Sequence, residues 1–132
     1  MSIRPKFGEQ ILGGRKRYEL RRMVAGLIEP GDLIYLYFSR PVSAVVGLFS
    51  AGVVYVAPPE NLEKIAELLG DVGLGGEDWL YVRGARYAML IEVRSPSRCA
   101  RPLKLAELGL RPPPSYIRLS PSAARRLHGL CI

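Results

Sequence analysis

From Lys16 to Arg22 the side chains alternate with the period of a β-strand. Tyr18 and Leu20 fall on one face, and Arg17, Glu19 and Arg21 on the other. Lys16 is out of phase with Glu19 and Arg21, so it reaches them only from a turn ahead of the strand. Leu33–Phe38 is bulky, apolar and β-rich, and reads as a buried strand. Val42–Val56 is a long β-prone run in which Gly47 and Gly52 suggest bulges or a bend. Tyr87–Val93 is a further apolar strand. Helical spacing appears at Phe7 and Ile11, with Pro5 in the first turn and Gly13-Gly14 as the stop. It returns at Leu62, Ile65, Ala66 and Leu69, bounded by Pro58-Pro59 and Gly70. Asp78–Val82 opens a second short helix, 103–108 makes a turn or two, and Ser120-Pro121 caps a last helix over 121–130. The stretch 94–102 reads as a polar, basic loop, Arg111–Pro114 as stiff and extended, and Tyr116–Leu119 as a last strand. The pattern predicts an α+β chain with a β-barrel core of five or six short strands and flanking short helices.

The 132 residues make a single domain over 1–132, with no internal repeat and no dividing linker. No apolar run approaches the ~20 residues that span a bilayer. Met1-Ser2-Ile3 leads straight into Arg4-Pro5-Lys6 without a signal-peptide core, so a soluble cytoplasmic protein is expected. Charge sharpens this picture. Residues 1–50 carry 8 basic and 4 acidic side chains, 51–80 carry 1 and 6, and 81–132 carry 10 and 2. Two basic blocks around an acidic insert suggest an anionic partner on one side. Of the 19 basic residues 15 are Arg, which suits bidentate phosphate and base contacts; a GC-rich genome or a hot habitat would also produce it. Cys99 and Cys131 form no zinc pattern. Free buried thiols are the expected state, with a disulfide between the C-terminus and the 94–101 stretch as the alternative. No metal or cofactor is expected.

The segment Gly14-Arg15-Lys16-Arg17-Tyr18-Glu19-Leu20-Arg21 has the spacing Gly-x-Lys-x-x-Glu-x-Arg. It resembles the signature of the ASCH family (activating signal cointegrator homology), within the PUA-like superfamily. Ile3-Arg4-Pro5 with Phe7, Glu9 and Ile11-Leu12 looks like that family's first strand and helix. Gly31–Tyr37 and Ala44–Gly47 look like its next two strands. The resemblance covers about the first 50 residues. It implies a small PUA-like barrel whose ligand cleft is lined by Lys16, Glu19 and Arg21.

The residue types fit such a cleft. Arg presents a fork of donors and Lys a mobile cation, both suited to phosphate. A carboxylate accepts from a base's exocyclic amine, and one held between two cations stays ionised. The alternative is a solvated strand face with cross-strand ion pairs. Arg4 beside the motif helix and Ser39-Arg40 in the loop after a buried strand join the candidate binding set. Arg83, Arg86, Arg94, Arg98 and Arg101 form a second basic group, from which Arg98 is the candidate phosphate contact. Tyr81 and Tyr87 stand beside it as stacking faces or core. The lone His128 reads as structural. Gly73-Leu74-Gly75-Gly76 lacks the Gly-Lys-Ser/Thr ending of a phosphate loop.

These residues predict an RNA-binding module without a catalytic residue. Two rivals stand beside it. One is an amidohydrolase or nuclease acting on a modified nucleoside or RNA. The other is a protein-interaction or transcription-cofactor domain. Some small bacterial ASCH proteins are amidohydrolases of N4-acetylcytidine in which the motif Lys works with a Thr three residues later and a carboxylate elsewhere, which no position of this sequence identifies. Here that place is Glu19, a poor substitute for a hydroxyl nucleophile.

Overall fold

The computed structural model describes residues 1–132. Five strands form one sheet: β1 (Ser2–Ile3), β2 (Tyr18–Arg22), β3 (Leu33–Phe38), β4 (Ala44–Ala57) and β5 (Ala88–Leu103). Four α-helices surround it: α1 (Pro5–Leu12), α2 (Pro59–Leu69), α3 (Gly76–Val82) and α4 (Pro121–Cys131). A 3₁₀ turn follows β5 at Leu105–Leu108. The strand order is β1-β3-β4-β5-β2, with β1 parallel to β3 and every other pair antiparallel. The hydrogen-bonded ladder ends at β1 and at β2. The α+β expectation holds, but this is an open five-stranded sheet rather than a closed barrel.

β2 is buried on both faces. Tyr18 and Leu20 pack with Leu62 and Ala66 of α2 and Val82 of α3, as the alternation predicts. Glu19 and Arg21 are only 2% and 5% exposed, so their face is not a solvated strand surface. A second cluster fills the space between α1 and the sheet, with Ile11, Leu36, Phe38, Phe49 and Ile91. Helix α1 can lie this close because residue 8 is glycine: a Cβ there would sit 2.2 Å from the Phe38 ring. The bulges expected near Gly47 and Gly52 appear as register shifts of β4 on β5 at Val45/Gly47 and Ala51/Val54.

Two expected elements differ. The 94–102 stretch is not a loop; it continues β5, with Arg94 opposite Ser50 and Arg98 opposite Gly47. Its Ser and Pro residues disguise a strand that β4 holds by backbone pairing. Tyr116–Leu119 forms no strand. Tyr116 is buried there because its hydroxyl donates to the Gly26 carbonyl at 2.6 Å and accepts from Val24 and Ala25 N–H. One phenol thus pins the irregular 23–28 segment. Cys99 and Cys131 are joined in a disulfide, so the free-thiol expectation fails; the bond ties α4 to β5 within a third cluster that includes Leu103 and Leu127.

Candidate functional site

A cleft of about 240 Å³ opens where the ladder fails to close. Ser2 and Ile3 of β1 line one side, and Glu19, Leu20 and Arg21 of β2 the other. Arg4 and Phe7, Lys16, Ser39, Glu77, Asp78, Tyr81 and Pro114 complete it. Its floor is an ion network. Lys16 lies in the turn before β2, the one place from which it can meet Glu19. Its Nζ stands 2.8 Å from Glu19 Oε1 and 2.6 Å from Asp78 Oδ1. Arg21 donates from Nε to Glu19 Oε2 at 2.9 Å, and its second nitrogen lies 2.9 Å from the same oxygen. Glu19 Oε1 also accepts the Leu20 N–H at 3.0 Å, capping a strand edge that has no neighbouring strand.

Local structure holds each partner in place. The Lys16 N–H donates to the Gln10 carbonyl of α1, and the Arg17 N–H to the Val72 carbonyl. Gly73 backs this turn at a φ of +80°, where a Cβ would fall 2.2 Å from the Arg15 carbonyl oxygen. The Gly73–Gly76 run is therefore a brace for the motif. Asp78 is aimed by the first turn of α3, its Oδ2 accepting the Gly75 N–H at 2.9 Å. The Lys16 ammonium also sits 4.9 Å from the centre of the Phe7 ring, and the Arg21 guanidinium 6.0 Å from that of Tyr81.

The network sets its own protonation. Burial alone would push the Glu19 carboxyl up, but Arg21 and Lys16 overcome it and hold the group below its ordinary range. Burial would push the Lys16 ammonium down, but Glu19 and Asp78 outweigh it and hold it above its ordinary value. Glu19 is thus an ionised acceptor and Lys16 a protonated donor. Both Lys16 contacts are carboxylates, and no hydroxyl bonds to it. Hydroxyls line the cleft at Ser2, Ser39 and Tyr81, and the buried Ser115 Oγ lies 3.5 Å from Arg21.

Of the residues expected to form the site, Lys16, Glu19, Arg21, Arg4 and Ser39 line the cleft. Arg40 and Arg98 do not. Arg40 is exposed in the turn after β3. Arg98 is exposed on β5 and paired with Glu9 of α1. Arg94 and Arg101 are likewise tied to Glu92 and Glu107, which leaves Arg83 and Arg86 as the unpaired members of that group. Tyr81 and Tyr87 are each 45% exposed rather than core, and only Tyr81 reaches the cleft. Asp78 was not foreseen. It is one of six acidic residues in 51–80, and no spacing singles it out; the acidic start of α3 is the only local signal.

No protein-family model and no curated protein matches the sequence. Solved structures do. The crystal structure of ASCH from Zymomonas mobilis is similar at a TM-score of 0.82 and 24% identity, over 98% of this chain and 92% of that one. A point mutant of the same Zymomonas mobilis protein gives a TM-score of 0.81 and 24% identity, over 98% of this chain and 95% of that one. The fold of this chain, from end to end, is that of an ASCH domain.

Proposed function

We propose that this protein is an ASCH-family, PUA-like RNA-binding domain that seats one base in the cleft and acts without catalysis. The supporting observation is the floor itself. Lys16, Glu19 and Arg21 are buried where they line a cavity, and an ionic floor costs more to bury than an apolar one. Such a floor is useful to a ligand that presents donors and acceptors together, as a base edge does. The volume, about 240 Å³, lies below the range of about 300–1,000 Å³ typical of drug-sized sites, and suits one ring system. Tyr81 at the wall offers a face for stacking.

Phosphates would remain outside, at the rim. Arg4 and Lys6 stand there, both near Glu77, and Arg22 contacts the Tyr81 and Arg83 carbonyls. Arg98 is a weaker candidate, because it lies outside the cleft and has Glu9 to itself, whereas Arg4 and Lys6 share one carboxylate. The amidohydrolase reading asks for a hydroxyl nucleophile three residues after Lys16; Glu19 holds that place, which favours binding, although Asp78 beside Lys16 would suit the carboxylate that reading also asks for. We place the protein in the cytoplasm. The disulfide then calls for a cell interior that tolerates one, as in hyperthermophiles.

Fluorescence anisotropy with short single-stranded RNAs at several salt concentrations tests this reading. Affinity is expected to fall with salt at a log–log slope of about −0.7 per phosphate contact. Arg4→Ala is expected to weaken all RNAs alike and flatten the slope by about one contact. Arg98→Ala is expected to leave it nearly unchanged. Absence of binding at low salt, or binding indifferent to salt, would favour a protein partner.

A further inference from the structure

A second concavity shares no lining residue with the cleft. It is a groove of about 760 Å³, well within the range of ligand sites. Leu33 and Tyr35 of β3 form one wall, Leu110, Ile117 and Leu119 the second, and Leu127 of α4 the third. Its charged side chains are few and mostly basic: Asp32 against Arg111, Arg118 and Arg125. Asp32 is the only carboxylate, and it is already engaged by Arg118 at 3.0 Å and by the Glu29 N–H at 2.9 Å. Arg111 and Arg125 also line the groove. Both are exposed, and neither belongs to any ion pair of the chain. Between β3 and α4 the Tyr35 hydroxyl meets His128 Nδ1 at 2.5 Å. Burial pushes the Tyr35 phenol up, so the hydroxyl keeps its proton.

Apolar walls with unneutralised cations at the edge call for a ligand with a hydrocarbon body and an anionic head. We propose that this groove binds a small amphipathic anion, an alkyl or aryl carboxylate free in solution, with its head at Arg111 and Arg125. A second copy of the chain fits less well. An isologous contact on this face would bring two copies of Arg111 and Arg125 into one interface with no spare carboxylate in the groove to offset them.

Octanoate is a suitable probe, followed by amide chemical shifts of the labelled protein, with 1-octanol as the neutral isostere. Octanoate is expected to shift groove amides such as those of Leu119 and His128 saturably, to leave Lys16 and Glu19 unmoved, and to bind more tightly than octanol. Arg111→Ala and Arg125→Ala are each expected to weaken octanoate by up to about fivefold, the worth of an exposed ion pair, and to leave octanol unchanged. Arg125→Lys should recover most of that loss. Both arginines are exposed, so the variants should fold; unchanged cleft amides would verify it. Equal binding of octanoate and octanol would overturn the proposal. So would groove shifts that follow protein concentration without ligand, which would mean self-association, or shifts produced by anionic vesicles but not by monomeric octanoate.

Discussion

The cleft and the groove are both concave, but opposite rules build them. In the cleft, charge is buried and satisfied. Lys16 and Arg21 face Glu19 and Asp78 across hydrogen-bond distances, and the backbone edge at Leu20 is capped by the same carboxylate. In the groove, hydrocarbon forms the walls, Arg118 is paired with Asp32, and Arg111 and Arg125 stay exposed and unpaired. Position in the sheet accounts for the difference. The cleft lies between two strand edges that leave backbone groups to be satisfied, so polar side chains are at home there. The groove lies against β3, which β4 pairs along its whole length and β1 only at Tyr37 and Phe38, and it takes apolar cover from α4 and the 110–119 segment. A buried charge network is easily broken by losing one member. An apolar groove is broken by losing a wall.

The largest effect is expected at the centre of the network. Glu19→Ala leaves Arg21 buried with no carboxylate and Lys16 with one partner of two, and removing one partner of a buried pair costs about 3–5 kcal/mol. Denaturant unfolding would measure it, and Glu19→Gln, which keeps an acceptor, should cost less. On the groove side, Cys131→Ser opens a link across 32 residues and should cost about 3–4 kcal/mol by the loop-closure relation. The loosening should appear in amide exchange at α4 and spare the Lys16 turn. Gly73→Ala should cost at least about 1 kcal/mol, because alanine disfavours the left-handed conformation and its Cβ meets the Arg15 carbonyl. Its amide shifts should centre on residues 15–17.

pH sharpens the contrast. Glu19 is held below its ordinary value of 4.5, so its contribution is complete above that pH and is lost as pH falls through the depressed value. Lys16 is held above its ordinary 10.5, so its contribution is complete below that pH and is lost as pH rises through the raised value. Unfolding free energy should therefore keep the network's share between these limits and lose it on either side, and Glu19→Gln should remove the acid arm. The smallest effect is expected from Arg98→Ala. Arg98 and Glu9 are both about half exposed, so their pair should be worth under about 1 kcal/mol.

The sequence made the motif's own geometry legible. Alternation separated Tyr18 and Leu20 from Glu19 and Arg21, and the phase of Lys16 placed it in a turn. What stayed hidden depended on distant chain. Asp78 reaches Lys16 across 62 residues, and nothing local distinguishes it from its acidic neighbours. The second half of β5 reads as a loop because Ser95, Pro96 and Ser97 carry turn chemistry; Ser95 indeed sits at a φ of +49°. Pairing with β4 overrides that preference. The Cys99–Cys131 link is equally non-local, since two cysteines in a sequence do not say whether they meet. Tyr81 was legible as an aromatic near basic residues, but its place at the cleft depends on α3 returning to β2.

The central claim is that the Lys16–Glu19–Arg21 floor reads a base. Base preference tests it most directly: the affinities of four short homopolymeric RNAs for the native protein and for Glu19→Gln, at one fixed salt concentration. If the floor reads the base, the native protein ranks the four RNAs, and Glu19→Gln changes the ranking while the salt slope stays the same. Identical rankings in both proteins, with RNA binding otherwise intact, would contradict the claim and move recognition away from the cleft.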